Sequence, residues 1–300
     1  MLSFLRRRFD ELATIVFLLL ALVLTILHTP VYATTGGLTL ARWVLWGAGI
    51  LLVALLIGAR LYPRNTYIRP VLDMVLQIGP MVVAVVGYVS LRLFNAGSIT
   101  SWLGISSRDP WMMAADIALF GKTPYVWFGL WGFTNTSFLL AISWFYGLYP
   151  FLPVAALAWF WFKGDRCQFR LIRRTVLISL YCGYLCYILI PVAGPLSLMP
   201  NAAPSYIEST AGYAFLAGNF RYAFDCFPSL HTANPWLLVW LCRGKLPFWL
   251  MAAIIFACCA ITLSTLVLGL HYGIDDLAGL VWIFPISLIA RSTLPRETAS

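Results

Sequence analysis

Three side chains in two short segments of this chain have the types and spacing for nucleophilic and acid-base chemistry. In His271-Tyr272-Gly273-Ile274-Asp275 a histidine and a carboxylate stand four positions apart, a separation that stacks both on one face of a helix. Asp275 can then accept the Nδ1 proton of His271, fixing its tautomer and leaving Nε2 to attack an electrophile. Asp276 points about 100° away on ideal helix geometry and is the less favoured partner. In Phe227-Pro228-Ser229-Leu230-His231 the proline suits the first turn of a helix that Asp225 can cap. Backbone N–H groups near Ser229 and Leu230, at the positive end of that helix, form a cradle for a phosphate. The combination predicts covalent phosphoryl transfer. His271 attacks phosphorus to give a phosphohistidine, while His231 protonates the departing oxygen and then activates an acceptor hydroxyl or water.

The elements that must position these groups are membrane helices. Of the 300 residues 61% are hydrophobic and only 10% charged, a balance that excludes an ordinary soluble domain. A bilayer core about 30 Å thick needs roughly 20 apolar residues in a helix. Such runs occur at 13–32, 40–61, 70–93, 139–162, 174–193, 228–242, 247–268 and 271–291. The expectation is an all-α, polytopic bundle of about eight spans. Its parts are N-terminal membrane helices (1–93), an outer interfacial segment (94–138) and a catalytic membrane core (139–300).

The net charge of +9 builds no basic face and therefore does not predict nucleic-acid binding; it is a topology signal. With the N-terminus inside, five of the 20 Lys and Arg residues fall outside: Arg42, Arg92, Arg108, Lys122 and Arg221. The other fifteen fall on the inner side. Both termini are therefore expected in the cytoplasm, with both histidines at outer helix ends, on a periplasmic or lumenal face. Arg6 to Arg8 precede an apolar run longer than a usual signal-peptide core, so the first span reads as a retained anchor.

Seven cysteines give no disulfide framework, since only Cys226 faces out. Neither a metal motif nor a glycine-rich nucleotide loop appears, so no cofactor and no metal are expected. Tryptophans at 102, 111, 127 and 131 predict short amphipathic helices along the outer surface. Two histidines on neighbouring helices could alternatively ligate haem, but both sit at helix ends and no second pair exists.

Residues 221–280 resemble the second and third signature motifs of the type 2 phosphatidic acid phosphatase superfamily. They are most similar to its branch of inositol phosphorylceramide synthases (the aureobasidin target) and sphingomyelin synthases with their bacterial relatives, which carry a six-helix-type core. The resemblance is weaker over Asp109–Trp127 and Tyr187–Pro200. It implies a His, His, Asp triad falling on His231, His271 and Asp275, and a phospholipid donor with a lipid alcohol, or water, as acceptor. The superfamily's phosphatases carry a Lys and an Arg in a first motif and another Arg some seven residues before the last histidine. This chain has Thr265 there, and no basic residue in Ile190–Ser197. A phosphomonoester dianion profits from several cationic clamps, whereas a phosphodiester monoanion needs fewer. Head-group transfer is therefore expected ahead of phosphate hydrolysis, with Arg221 as the best remaining outer cation for the phosphate, or as an ion-pair partner of Asp225 four positions on.

Overall fold

The computed structural model describes residues 104–132, 135–198 and 224–294, with most of 9–19 and 70–81. The expected spans over 13–32, 40–61 and 70–93 lie largely or wholly outside these, as does Arg221. Among the described residues 79% are helical and none forms a strand, which agrees with the all-α expectation.

The helices in chain order are α1 (Asp109–Phe120), α2 (Pro124–Leu130), α3 (Thr136–Leu148), α4 (Phe151–Phe162), α5 (Arg166–Leu189), the single turn α6 (Pro195–Leu198), α7 (Leu230–Cys242), α8 (Phe248–Val267) and α9 (Gly273–Thr293). Local chemistry sets their starts. The Asn135 side chain accepts from the N–H groups of Ser137 and Phe138 at 3.0 and 3.2 Å, and Asp165 accepts from Gln168 N–H at 2.9 Å. Each satisfies donors that a helix start leaves open.

Of these, α5, α8 and α9 are long and apolar enough to cross a membrane. The run expected as one span at 139–162 is instead two helices, α3 and α4, that meet at 47°. Pro150 sits at the junction as the N-cap of α4, where it lacks an N–H and clashes with the preceding turn. The span expected at 228–242 is also different. With 13 residues α7 extends roughly 20 Å, short of a bilayer core. It packs within the bundle against α4, α5, α8 and α9.

Polarity is inverted relative to a water-soluble bundle. Thr175, Ser179, Thr232, Asn234, Ser264 and Thr265 are buried, while Trp249, Phe256, Val281 and Leu288 are exposed. An outer face of this kind suits hydrocarbon, and the apolar helices mark a membrane-associated protein. At one end of the bundle Arg173 and Arg174, expected among the inner-side cations, are buried. Helix α5 begins at Arg166, and both guanidiniums meet buried Asp10: Arg173 Nε at 2.8 Å and Arg174 Nε at 2.6 Å. Arg173 Nη1 also donates to Gln77 Oε1 at 2.7 Å, and Arg174 Nη1 to the Thr293 carbonyl at 2.6 Å. This cluster joins four segments far apart in the chain.

Removing Asp10 leaves two buried cations without their shared partner. Asp10→Ala is expected to destabilise the protein by about 3–5 kcal/mol, read as a lowered unfolding midpoint in detergent against wild type.

Candidate active site

His231 and His271 meet at one end of the bundle, their ring centroids 5.5 Å apart. His231 lies in the first turn of α7, which begins after Ser229; the Ser229 hydroxyl accepts from Thr232 N–H at 3.3 Å. Ser229 is thus the cap that was expected of Asp225. Asp225 instead forms an isolated parallel bridge with Val192, and Pro228 precedes the cap. The His231 ring stacks on Tyr146 at 4.2 Å and lies against Tyr149 at 4.5 Å. The bend between α3 and α4 falls just after Tyr149, and the Tyr149 hydroxyl accepts from Asn234 Nδ2 at 3.0 Å. His231 Nδ1 has no hydrogen-bond partner among the described residues.

His271 sits in the turn between α8 and α9. Both Leu270 N–H and His271 N–H donate to the Thr265 carbonyl, at 2.9 and 3.2 Å. Its Nδ1 lies 3.0 Å from the Cys226 carbonyl and 3.8 Å from Asp275 Oδ2. The first is hydrogen-bond distance and the second is not. A carbonyl oxygen can only accept, so this bond keeps the proton on Nδ1 and makes Nε2 the basic nitrogen. Asp275 was expected to fix the tautomer; in the structure the Cys226 carbonyl occupies that place. Asp275 Oδ2 accepts from Tyr272 N–H at 2.9 Å, closing the first turn of α9, while its Oδ1 is buried without a partner among the described residues. A carboxylate 3.8 Å away still favours positive charge on the ring.

Asp276 turns to the interior and accepts from the hydroxyls of Thr232 on α7 and Thr265 on α8, each at 2.7 Å. It ties together the three elements that carry the site. Thr265, which stands where a phosphate-binding Arg was looked for, therefore serves helix packing.

The N–H cradle is narrower than expected. Ser229 N–H donates to the Asp275 carbonyl at 3.1 Å, so the groups left without a partner among the described residues are Leu230 N–H and His231 N–H. At α9 the donors of Gly273 and Ile274 are filled by Asp116 of α1, at 3.0 and 2.9 Å. Asp109, two turns earlier on α1, accepts from Ala193 and Gly194 N–H, each at 2.9 Å to one of its oxygens. Tyr146, Tyr149, Asp109 and Asp116 were not singled out from the sequence as site residues. A proline within an apolar run signals the bend that brings the tyrosines in. No local signal pairs an acid with backbone more than 80 residues away. The donor atoms of Cys226, His271 and Asp275 lie within 4.8 Å of one another and are, among the described residues, the set that could hold a metal ion.

A helical membrane-type bundle with paired imidazoles at helix amino ends is the class that this fold and site define. Residues 110–289 match the model of the PAP2 superfamily, more than half of the chain, and the chain belongs to that superfamily. Neither a curated protein nor a solved structure matches it.

Asp116, which lies outside the spanning helices, has its pKa raised to about 6 by burial, against the opposing pull of the two N–H groups. A carboxyl whose folded pKa exceeds its unfolded value contributes stability at low pH that is lost as pH rises, here through about 6. Infrared difference spectra are expected to show a carboxyl titrating near 6 that is missing in Asp116→Asn. Titration at roughly 4 instead would mean that Asp116 is hydrated.

Proposed function

We propose that the protein is a lipid phosphotransferase that moves a phosphate-containing head group from a phospholipid to a lipid alcohol through a phosphohistidine on His271. PAP2 membership suggests lipid phosphatase or phosphotransferase activity in general. The observation that carries the mechanism is the bond between His271 Nδ1 and the Cys226 carbonyl, with a second imidazole 5.5 Å away between rings. Nε2 of His271 attacks the diester phosphorus, the P–O bond to the lipid alcohol breaks, and protonated His231 delivers a proton to the leaving oxygen. Neutral His231 then takes the proton of the acceptor hydroxyl as that oxygen attacks phosphorus and the P–N bond breaks. Asp275 stabilises the positive charge that His271 develops. Leu230 N–H and His231 N–H, at the positive end of α7, donate to the phosphate oxygens.

Transfer is favoured over hydrolysis by the sparse positive charge. Thr265 takes the position of an Arg and bonds Asp276, and the outer cations Arg108 and Lys122 lie over Trp111 and Trp127. We assign the phosphate to Arg221, the best of the remaining outer cations. The site faces the periplasm or lumen, with both termini in the cytoplasm, on the distribution of Lys and Arg. The second reading is a lipid phosphatase, of phosphatidic acid or polyprenyl phosphate type. It uses the same three residues with water as acceptor and is favoured by the superfamily's own range of activities.

Purified wild type is expected to transfer a head group from a phospholipid to ceramide or diacylglycerol faster than it releases inorganic phosphate; the reverse order establishes the phosphatase. His271→Ala is expected to lower either activity more than about a thousandfold, and His231→Ala by roughly a hundred to ten thousandfold. Activity is also expected to survive EDTA, because a histidine nucleophile needs no divalent cation; strict magnesium dependence would contradict the mechanism.

A further inference from the structure

Helix α1 is built upside down for a surface helix. It buries its acids, with Asp109 at 1% and Asp116 at 0% exposure, and exposes Trp111, Ile117 and Leu119. Neither acid pairs with a cation among the described residues. Both are held by backbone N–H groups, Asp109 by Ala193 and Gly194 and Asp116 by Gly273 and Ile274. Seven residues make almost two helical turns, so the two carboxylates share one face about 10.5 Å apart along the axis. One helix thus grips two loops at once.

The loops also touch each other. Leu196 N–H donates to the Gly269 carbonyl at 2.9 Å, and a Cβ at Gly194 would come within 2.5 Å of the Leu270 carbonyl oxygen. His271 is therefore enclosed between one gripped loop and the gripped start of α9. Contact is equally close at the other end of α1: a Cβ at Gly273 would meet the Phe120 ring at 2.6 Å.

We propose that Asp116, assisted by Asp109, is a positioning residue that fixes His271 against the substrate phosphorus by holding the amino end of α9. It touches no reacting atom, and this role rests on the phosphotransfer reading above. The Asp116 carboxylate also fills the N–H pair of α9, which directs the substrate phosphate to the open pair on α7. Misplacing a nucleophile by an ångström costs on the order of a hundredfold in rate, so the effect falls on turnover rather than on substrate affinity.

The test compares Asp116→Asn, Asp116→Ala and Asp116→Glu. The amide keeps the length but only one of the two acceptor oxygens, alanine removes both, and glutamate keeps the charge but pushes the helices apart. Asp116→Ala and Asp116→Glu are expected to lower kcat by about 10- to 100-fold with KM within about twofold, and Asp116→Asn, which keeps one of the two bonds, to fall between these and wild type. A second arm needs no substrate: the rate at which diethyl pyrocarbonate modifies His271, mapped by mass spectrometry on folded protein. It is expected to change severalfold in Asp116→Ala and Asp116→Glu and less in Asp116→Asn. An unchanged His271 reactivity across all three variants, or a kcat ordering that simply follows the loss of folded protein, overturns the proposal. If wild type turns over no lipid phosphate while His271 reactivity still follows Asp116, the phosphotransfer reading fails and the positioning role stands.

Discussion

A carboxylate buried without a cation is tolerable only where several donors converge on it, and donors buried without an acceptor are nearly as costly. The site end of this bundle is arranged around that mutual requirement. Backbone N–H groups at 193–194 and 273–274 would be orphans in a low-dielectric surrounding, and Asp109 and Asp116 would be unpaired charges. Each group answers the other. Because the partners are backbone atoms of two loops and side chains of one helix, satisfying them fixes where the loops lie, and His271 stands between them. The same logic governs Asp276, whose oxygens accept the hydroxyls of Thr232 and Thr265, so that α7, α8 and α9 converge with a fixed register.

This explains which parts of the site could be read from the sequence. The placement of His231 near the start of a helix is local, and helix-start chemistry suffices for it; His271 lies in the turn before α9, so its 3.8 Å approach to Asp275 follows from closeness in sequence and not from the helical stacking that the i, i+4 spacing predicts. The group that accepts the Nδ1 proton was not readable, because it is the backbone carbonyl of Cys226, 45 residues earlier, and every residue has a carbonyl. The acids of α1 were hidden for a related reason. On a helix otherwise rich in exposed apolar groups they look like its solvated face, and only the packing of α1 on α9 shows them to be the buried one.

The fold shows the same division. Hydropathy finds apolar runs, and α5, α8 and α9 correspond to such runs. It does not distinguish a straight span from two helices broken at Pro150, or a membrane-crossing helix from the 13-residue α7 enclosed by its neighbours. Both departures matter chemically. The break brings Tyr146 and Tyr149 against His231, and the short α7 is enclosed by α4, α5, α8 and α9.

The placement of charge bears on the kind of phosphate the site suits. A dianion brought into a buried site requires cations close by, because unpaired charge in low dielectric is expensive. Arg108 and Lys122, just before and just after α1, rest over tryptophan rings, Thr265 is engaged by Asp276, and the ionisable neighbours of His271 include Asp275 and Asp276, which repel added negative charge. A monoanionic diester reduces that repulsion, and two N–H groups at the end of α7 with one imidazolium can balance it. A dianionic monoester would need a cation from elsewhere, a part that the proposed function assigns to Arg221. Replacing Arg221 should therefore impair phosphate-monoester turnover more than diester transfer if both occur on this protein, since the second negative charge is the part of the substrate with no other partner.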